Sequence, residues 1–331
     1  MNQLTTTIEC LDRSRVVELV RKWGEVNTDG ILDQTTQIFS VPHIEGLIGY
    51  RVELGNAVVY GDPVCAPSEK VALAKEFEAY CKTQKMVVIY IIVSEEFAQM
   101  AFDHLSFSLI EFGRKFILDP AHYIEPKTSL LRKKVRQSSR HEVTIHEYTE
   151  NDPTIEKSIE DVAHAWVKAR KGIQIYLAEL TLFADRIGKR WFYAKYQDKI
   201  VGVALLNKLE SQEGWLLNNV MVAKDTPSGV SEHLVVSALQ TIEKEQCHFV
   251  LIGPVPAKDL GKMVGLNRLI ILLASWGFRA IRKVCHLDGH EVFWDKFQPE
   301  HRSSYLLFPK NRFRLSSVFA LLRALNINVK S

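Results

Sequence analysis

Apolar and polar positions along this chain follow two periods, alternation over short runs and helical spacing over longer ones. Residues 49–54 and 57–60 read as a hairpin around Gly55-Asn56, and Gly61-Asp62-Pro63 breaks its second strand. Ser68 is then expected to cap a helix in which Val71, Ala74, Phe77 and Cys81 recur at helical spacing. The apolar run 86–93 predicts a buried strand, residues 95–105 a helix, and residues 108–110 and 115–118 further strand segments. The second half states the same order again. Residues 191–195 and 200–206 read as strands around Gln197-Asp198-Lys199, and residues 214–222 as a third. The loop 224–229 leads to a helix carrying Leu234, Val235, Ala238 and Ile242. A strand over 248–253 is ended by Pro254 and Pro256, and a helix near 266–275 and a last strand follow.

Antiparallel strands, loop, helix, strand, helix, strand resembles the order of the GNAT acyltransferase fold. The expected class is therefore α/β (α+β), with tandem GNAT-like domains, each a mixed, mostly antiparallel sheet flanked by helices. The first unit is placed at residues 1–125 and the second at 153–310. A basic linker and helix start occupies 126–152, where Pro126 and Asp152-Pro153 interrupt the pattern, and a basic amphipathic tail occupies 311–331.

Composition adds limits. A chain of 331 residues, 47% hydrophobic and 24% charged, can bury two substantial cores. The start lacks a signal-peptide pattern, and the longest apolar run, 86–93, is far too short to span a bilayer. A soluble cytoplasmic protein that can visit a membrane surface is expected. Cys10, Cys65, Cys81, Cys247 and Cys285 form no CxxC pair, and the histidines show no ligand spacing, so neither a disulfide framework nor a metal site is expected. The net charge is only +3, yet Lys127, Arg132, Lys133, Lys134, Arg136 and Arg140 fall in one stretch without an acid. Arg302, Lys310, Arg312, Arg314, Arg323 and Lys330 form another. Such segments suit local anion contacts, tRNA phosphates or lipid headgroups, or else are solvated surface. No DNA partner is expected.

Three places could carry chemistry. Ser228, Gly229 and Ser231 lie between a strand and a helix, where small residues let backbone N–H groups approach a phosphate. The loop lacks a cation or amide at Thr226 and reads as a plain turn into the helix sooner than as a phosphate loop. Asn218-Asn219 and Gly253-Pro254 end two strands and should flank the cleft of the second unit. Gly61-Asp62-Pro63 has the composition of a turn whose Asp62 binds nearby backbone N–H groups.

The stretch Phe293-Trp294-Asp295-Lys296-Phe297-Gln298-Pro299, running into Tyr305-Leu306, resembles the end of the synthase domain of phosphatidylglycerol lysyltransferases, the multiple peptide resistance factor family. That family has Phe-Lys-x-Lys-Phe-x-Pro-x-Trp before an Arg-Tyr-Leu strand. Gly61-Asp62-Pro63, the basic segment around Arg132, Asn219-Val220-Met221 and Gly253-Pro254 match further family motifs, over about residues 45 to 308. Several departures stand out. Trp294 replaces the first lysine, Ser304 the arginine before Tyr305, Asn219 an aspartate and Val222 an arginine.

The resemblance implies an aminoacyl or acyl transferase that takes an aminoacyl group from charged tRNA, with no other cofactor, and places it on a lipid or another hydroxyl or amine. It assigns Lys296 to catalysis, and Asn218, Asn219, Gly253, Pro254, Asp295 and Tyr305 to substrate. Arg132, Lys133, Lys134, Arg136, Arg312 and Arg314 would contact tRNA or an anionic phospholipid. Residues 316–325, with Val318, Phe319, Leu322 and Leu325 on one side, either rest on a lipid interface or dock on their own domain. Two rivals stay open. One is a CoA-dependent N-acyltransferase that holds acetyl-CoA on Ser228, Gly229 and Ser231; the other is a catalytically silent binding protein of the same fold.

Overall fold

The computed structural model describes residues 9–123, 125, 128–169, 180–285, 289–310 and 315–325, without the side chains of 284–285, 289–291 and 315. The chain begins with helices α1 (Arg13–Trp23) and α2 (Thr28–Leu32), then strands β1 (Gln37–Val41), β2 (Ile44–Glu53), β3 (Asn56–Tyr60) and β4 (Val64–Cys65). Next come α3 (Lys70–Thr83), β5 (Val87–Ser94), α4 (Glu95–His104), β6 (Phe107–Leu118), α5 (Ser129–Arg140), β7 (Thr144–Tyr148) and α6 (Pro153–Ala169). The second half continues with β8 (Lys189–Tyr196), β9 (Lys199–Leu209), β10 (Gly214–Val222), α7 (Val230–Glu243), β11 (Val250–Pro256) and β12 (Met263–Val264). It ends with α8 (Arg268–Cys285), α9 (Gly289–Asp295), β13 (Glu300–Pro309) and α10 (Leu315–Ala324).

All thirteen strands among the described residues join one mixed sheet, in the order β1-β2-β3-β5-β13-β6-β11-β10-β9-β8-β7, with β4 and β12 on side branches. Both predicted hairpins form. The first turns on Leu54 and Gly55, the second on Gln197 and Asp198, all four with positive φ as two-residue hairpin turns require. β6 is a single twelve-residue strand rather than two segments, and β11 runs on through Pro254 to Pro256. It can do so because its outer edge there leaves β10, so the missing proline N–H groups break no ladder with that strand. Ser68 does not cap α3; it lies in a 3-10 turn, Pro67–Glu69, that precedes the helix. α8 continues ten residues beyond Ser275, since no Gly-Pro signal stops it before Cys285.

The last strand takes the most consequential position. β13 lies antiparallel between β5 and β6, pairing Tyr305 with Val93 on one side and with Glu111 on the other. Tyr305, Leu307 and Phe308 are buried there, each contributing roughly 1.5–3 kcal/mol of apolar burial. Helices cover both faces. α3 and α4 pack with Phe77, Phe97 and Phe107 on one face of the first half, and α1 and α10 cover the other with Val20, Ile91 and Ala320. In the second half α7 packs with Trp294 and Phe297 on one face, while α6 closes the opposite face over Met221 and Trp191.

α10 docks on the first half of the chain, against β2, β3 and β5, rather than on the second unit that precedes it. Ser317, Ala320, Leu321 and Ala324 are buried, Tyr60 donates its hydroxyl to the Ala324 carbonyl at 2.7 Å, and Ser317 reaches Asn56 at 2.9 Å. Of the apolar side named above, Val318, Leu322 and Leu325 are half-buried and Phe319 is exposed; the neighbouring side is the one that enters the core. Among the described residues no helix is long and apolar enough to cross a membrane.

Candidate functional site at the splay of two parallel strands

β10 and β11 run parallel but pair only from Trp215–Leu217 to Val250–Ile252. Beyond that point β10 bulges at Asn218 against β9, and β11 shifts register between Ile252 and Val255 against β6. The two strands therefore part, leaving facing backbone edges without a ladder partner. Gly253 sits on one lip, and a Cβ built there would meet nothing within 4 Å, so the lip faces open space. Asn218, Asn219 and Pro254 are half-buried around the opening. The sequence-predicted cleft residues are thus brought together.

What the sequence reading missed is the acid among them. Asp29, from the short helix α2, accepts hydrogen bonds from the Asn207 amide at 3.0 Å on one oxygen and from the Asn218 amide on the other. Asn207 is fully buried and also donates to Thr28 at 3.1 Å. Both carboxylate oxygens are thus oriented by amide donors, a charge-assisted arrangement that fixes the group at the bulge. Two buried cations lie in its field. Burial pushes Arg21 and Lys189 below their usual values, and Asp29 pulls both back up. Lys189 caps the carbonyls of Ala184 at 2.8 Å and Thr181 at 3.3 Å, and Arg21 donates from Nε to Ile187 at 2.9 Å. Nothing in the local pattern of α2 marks Asp29; an acid in the first turn of a helix is an ordinary response to the helix dipole.

Lys296 lies at the turn between α9 and β13. Its ammonium pairs with Glu232 on the first turn of α7 and sits 4.4 Å from the centre of the Phe293 ring. Its carbonyl accepts from Thr128 at 2.9 Å, while Trp294 and Phe297 are buried in the α7 core. The aromatic motif thus fastens α7 to the turn, and no hydrogen bond links Lys296 to Asn218, Asn219 or Gly253 among the described residues. Asp295 is exposed. Tyr305 belongs to the first half, its hydroxyl 3.4 Å from Glu95 and its titration pushed up to about 12 by burial.

At the start of α7, Gly229 has φ +95°, and a Cβ there would fall 2.1 Å from the Lys134 carbonyl of α5. Glycine is needed at this place for helix packing. Lys134 also donates to Ser228 at 2.7 Å, while Ser231 is half-buried. Arg132, Lys133 and Arg136 are exposed on α5. Arg312 and Arg314 lie outside the described residues.

The first half contains an equivalent splay. β3 and β5 pair in parallel from Asn56–Tyr60 to Val87–Ile91, and the last bond runs from Gly61 N to Ile91 O at 2.7 Å. Ile92 then takes φ +62°, an unusual conformation for a β-branched residue. Here Asp62 does not bind its own turn. It accepts from the Ser94 backbone at 2.8 Å, the Ser94 hydroxyl at 2.7 Å and Lys70 Nζ at 2.7 Å. Burial opposes the charge, but Lys70 and Lys115 prevail and hold its carboxyl below the usual range. Lys115 in turn pairs with Glu25. A cavity of about 10 Å³ remains beside Gly61, Asp62 and Lys70, at the lower limit for one water.

This geometry has relatives. The chain resembles the C-terminal domain of a protein assigned as a lysylphosphatidylglycerol synthetase from Agrobacterium fabrum, with a TM-score of 0.79 at 14% identity, over 96% of this chain and 98% of that one. The L-PGS structure from Bacillus licheniformis aligns with a TM-score of 0.75 at 18% identity, over 95% and 97% of the two chains. FemX aligns with a TM-score of 0.54 at 10% identity, over 96% and 100%. At these identities the likeness establishes a shared GNAT-like fold. Among proteins of curated function, none matches the sequence significantly. The family model for the C-terminal region of phosphatidylglycerol lysyltransferase matches residues 31–308, so the chain belongs to that family.

Proposed function

We propose that this protein is an aminoacyltransferase that moves an aminoacyl group from a charged tRNA ester to a lipid or another hydroxyl or amine acceptor, at the splay of β10 and β11. The observation that carries this reading is the Asp29 carboxylate, held at the Asn218 bulge by two amide donors. An aminoacyl donor differs from a plain acyl donor by its α-ammonium group, and a fixed carboxylate beside the opened strand edges is the group that would bind it. The acid is supplied from α2, although β10 itself carries Asn219 where family members carry aspartate. The acceptor oxygen or nitrogen attacks the ester carbonyl. The carbonyl oxygen takes up charge beside N–H groups on the opened edge, and the tRNA 3′ hydroxyl leaves with the proton. Catalysis rests on positioning, since no nucleophile–base pair lines the opening among the described residues. The glycine that motivated a coenzyme A loop is accounted for by its contact with Lys134, which favours the aminoacyl donor over acetyl-CoA.

Incubation of the whole chain with tRNAs charged with each amino acid, phosphatidylglycerol vesicles and soluble amine acceptors tests this. Transfer from at least one donor is expected, falling about 100-fold in Asp29→Asn while the thermal transition is retained. No transfer from any donor, or full transfer by Asp29→Asn, would overturn the reading, and transfer from acetyl-CoA alone would replace it.

A further inference from the structure

Helix α8 is built unlike the other long helices. Of its described side chains only Arg282 is buried, and Leu269, Leu272, Leu273 and Trp276 are 66%, 68%, 55% and 74% exposed. These four recur at i, i+3, i+4 and i+7 and so share one face, which points to solvent. A stripe that would normally be the buried side of a helix is here the outer side. Single exposed leucines are ordinary on protein surfaces, but a contiguous outward ladder closed by a tryptophan marks an interaction surface.

The charges around that ladder identify the kind of surface it fits. Between Arg268 and Cys285 the helix has four cations, Arg268, Arg279, Arg282 and Lys283, and no acid. On a helical projection Arg268 and Arg279, the latter paired with Asp259, flank the ladder on one side, and Lys283 lies about two turns beyond Trp276 along it. Lys258 and Lys262, on the segment beneath the helix, are exposed as well. A cationic rim around an apolar stripe with an interfacial tryptophan suits an anionic bilayer surface, where leucines enter the acyl boundary and cations meet headgroups.

The helix is also tied to the cleft. Arg282 donates to the Ala257 carbonyl at 2.6 Å and Arg279 pairs with Asp259 at 2.7 Å, both on the segment that leaves the Gly253-Pro254 lip. A bilayer under α8 would lie next to the strand end from which that segment departs.

We infer that α8 is a membrane-docking helix that seats this protein on anionic phospholipid, with its apolar ladder in the interface and its cleft lip beside the headgroups. The inference gives the lipid-acceptor reading its geometry and rests on that reading for its purpose, but the docking itself requires no donor and no reaction.

Its test is sedimentation of the whole chain with vesicles of phosphatidylcholine, alone or mixed with phosphatidylglycerol, together with Trp fluorescence. Binding is expected to favour the phosphatidylglycerol vesicles, with a blue shift lost in Trp276→Ser. Leu272→Glu should lower partition at least tenfold, and Arg268→Ala with Lys283→Ala about fivefold per charge. Phe319→Glu on α10 should leave it unchanged. The substituted positions are exposed, so folding is checked simply by an unchanged thermal transition. Equal partition of wild type and Leu272→Glu overturns the inference. So does a concentration-dependent dimer that Leu272→Glu dissociates in the absence of vesicles, which would give the face to a second copy of the chain. Strong vesicle binding with no aminoacyl transfer leaves the docking intact and sinks only the proposed reaction. Transfer to soluble acceptors with no vesicle binding does the reverse.

Discussion

The two halves solve one geometric problem in opposite ways. In each, a parallel strand pair comes apart after its last ladder bond, β3 from β5 beyond Tyr60 and β10 from β11 beyond Leu217. The first gap is filled by ion pairs, Asp62 with Lys70 and Lys115 with Glu25, around a space about one water in size. The second is left with amides, a glycine lip and a carboxylate brought from another helix. A splayed pair is thus only a frame for a site. What it does depends on whether the polar groups in it satisfy one another or remain able to satisfy something else.

That contrast can be broken most severely at Lys70. Replacing it with Met strands the buried Asp62 charge, and urea unfolding should show a loss of about 3–5 kcal/mol. Adding Asp62→Asn should recover much of this, because the uncompensated charge disappears; no recovery would mean that Lys70 acts through packing rather than charge.

The paired glycines give a smaller and sharper comparison. Gly61 has φ +74°, and a Cβ there would come within 2.4 Å of the Asn27 amide, whereas the space at Gly253 is open. Gly61→Ala should therefore cost about 2–3 kcal/mol and Gly253→Ala less than about 0.5 kcal/mol, read from chemical denaturation. Equal costs would deny that one gap is closed and the other open.

The least effect, absent near neutrality, is in pH. Asp62 titrates below the usual aspartate range and Lys70 above the usual lysine range. The stability they confer should be constant between those ordinary ranges. It should be lost as pH falls through the depressed aspartate value, or as pH rises through the elevated lysine value. Wild type minus the Asp62→Asn, Lys70→Met double variant, measured by unfolding across pH, isolates that profile. A slope near pH 7 would assign the gap a different titrating group.

Much of the frame was legible in the sequence because its signals are local. Gly55 and the Gln197-Asp198 pair announce hairpins, and helical spacing from Val71 to Cys81 announces α3. Asn218 and Gly253 stand where β10 and β11 part, and the sequence points there through strand-like runs on either side, although β11 itself runs on to Pro256. Asp29 was not legible, since its meaning comes from Asn207 and Asn218, far along the chain. Asp62 was read as serving its own turn, yet its partners are Ser94 and Lys70. The outward stripe of α8 has the same periodicity as an inward one, so sequence alone gives the existence of the helix and not the side it buries.

The place of β13 bears on how the molecule is made. A chain growing from the ribosome produces β5 and β6 nearly two hundred residues before the strand that must lie between them. Until then the first half cannot zip its sheet shut, and two unpaired edges stay open to wrong partners until β13 emerges. The strand acts as a late key, so the sheet closes only after β13 has been made. Separating the halves by truncation would yield no shorter version of this protein, only a first half held permanently at that unfinished stage.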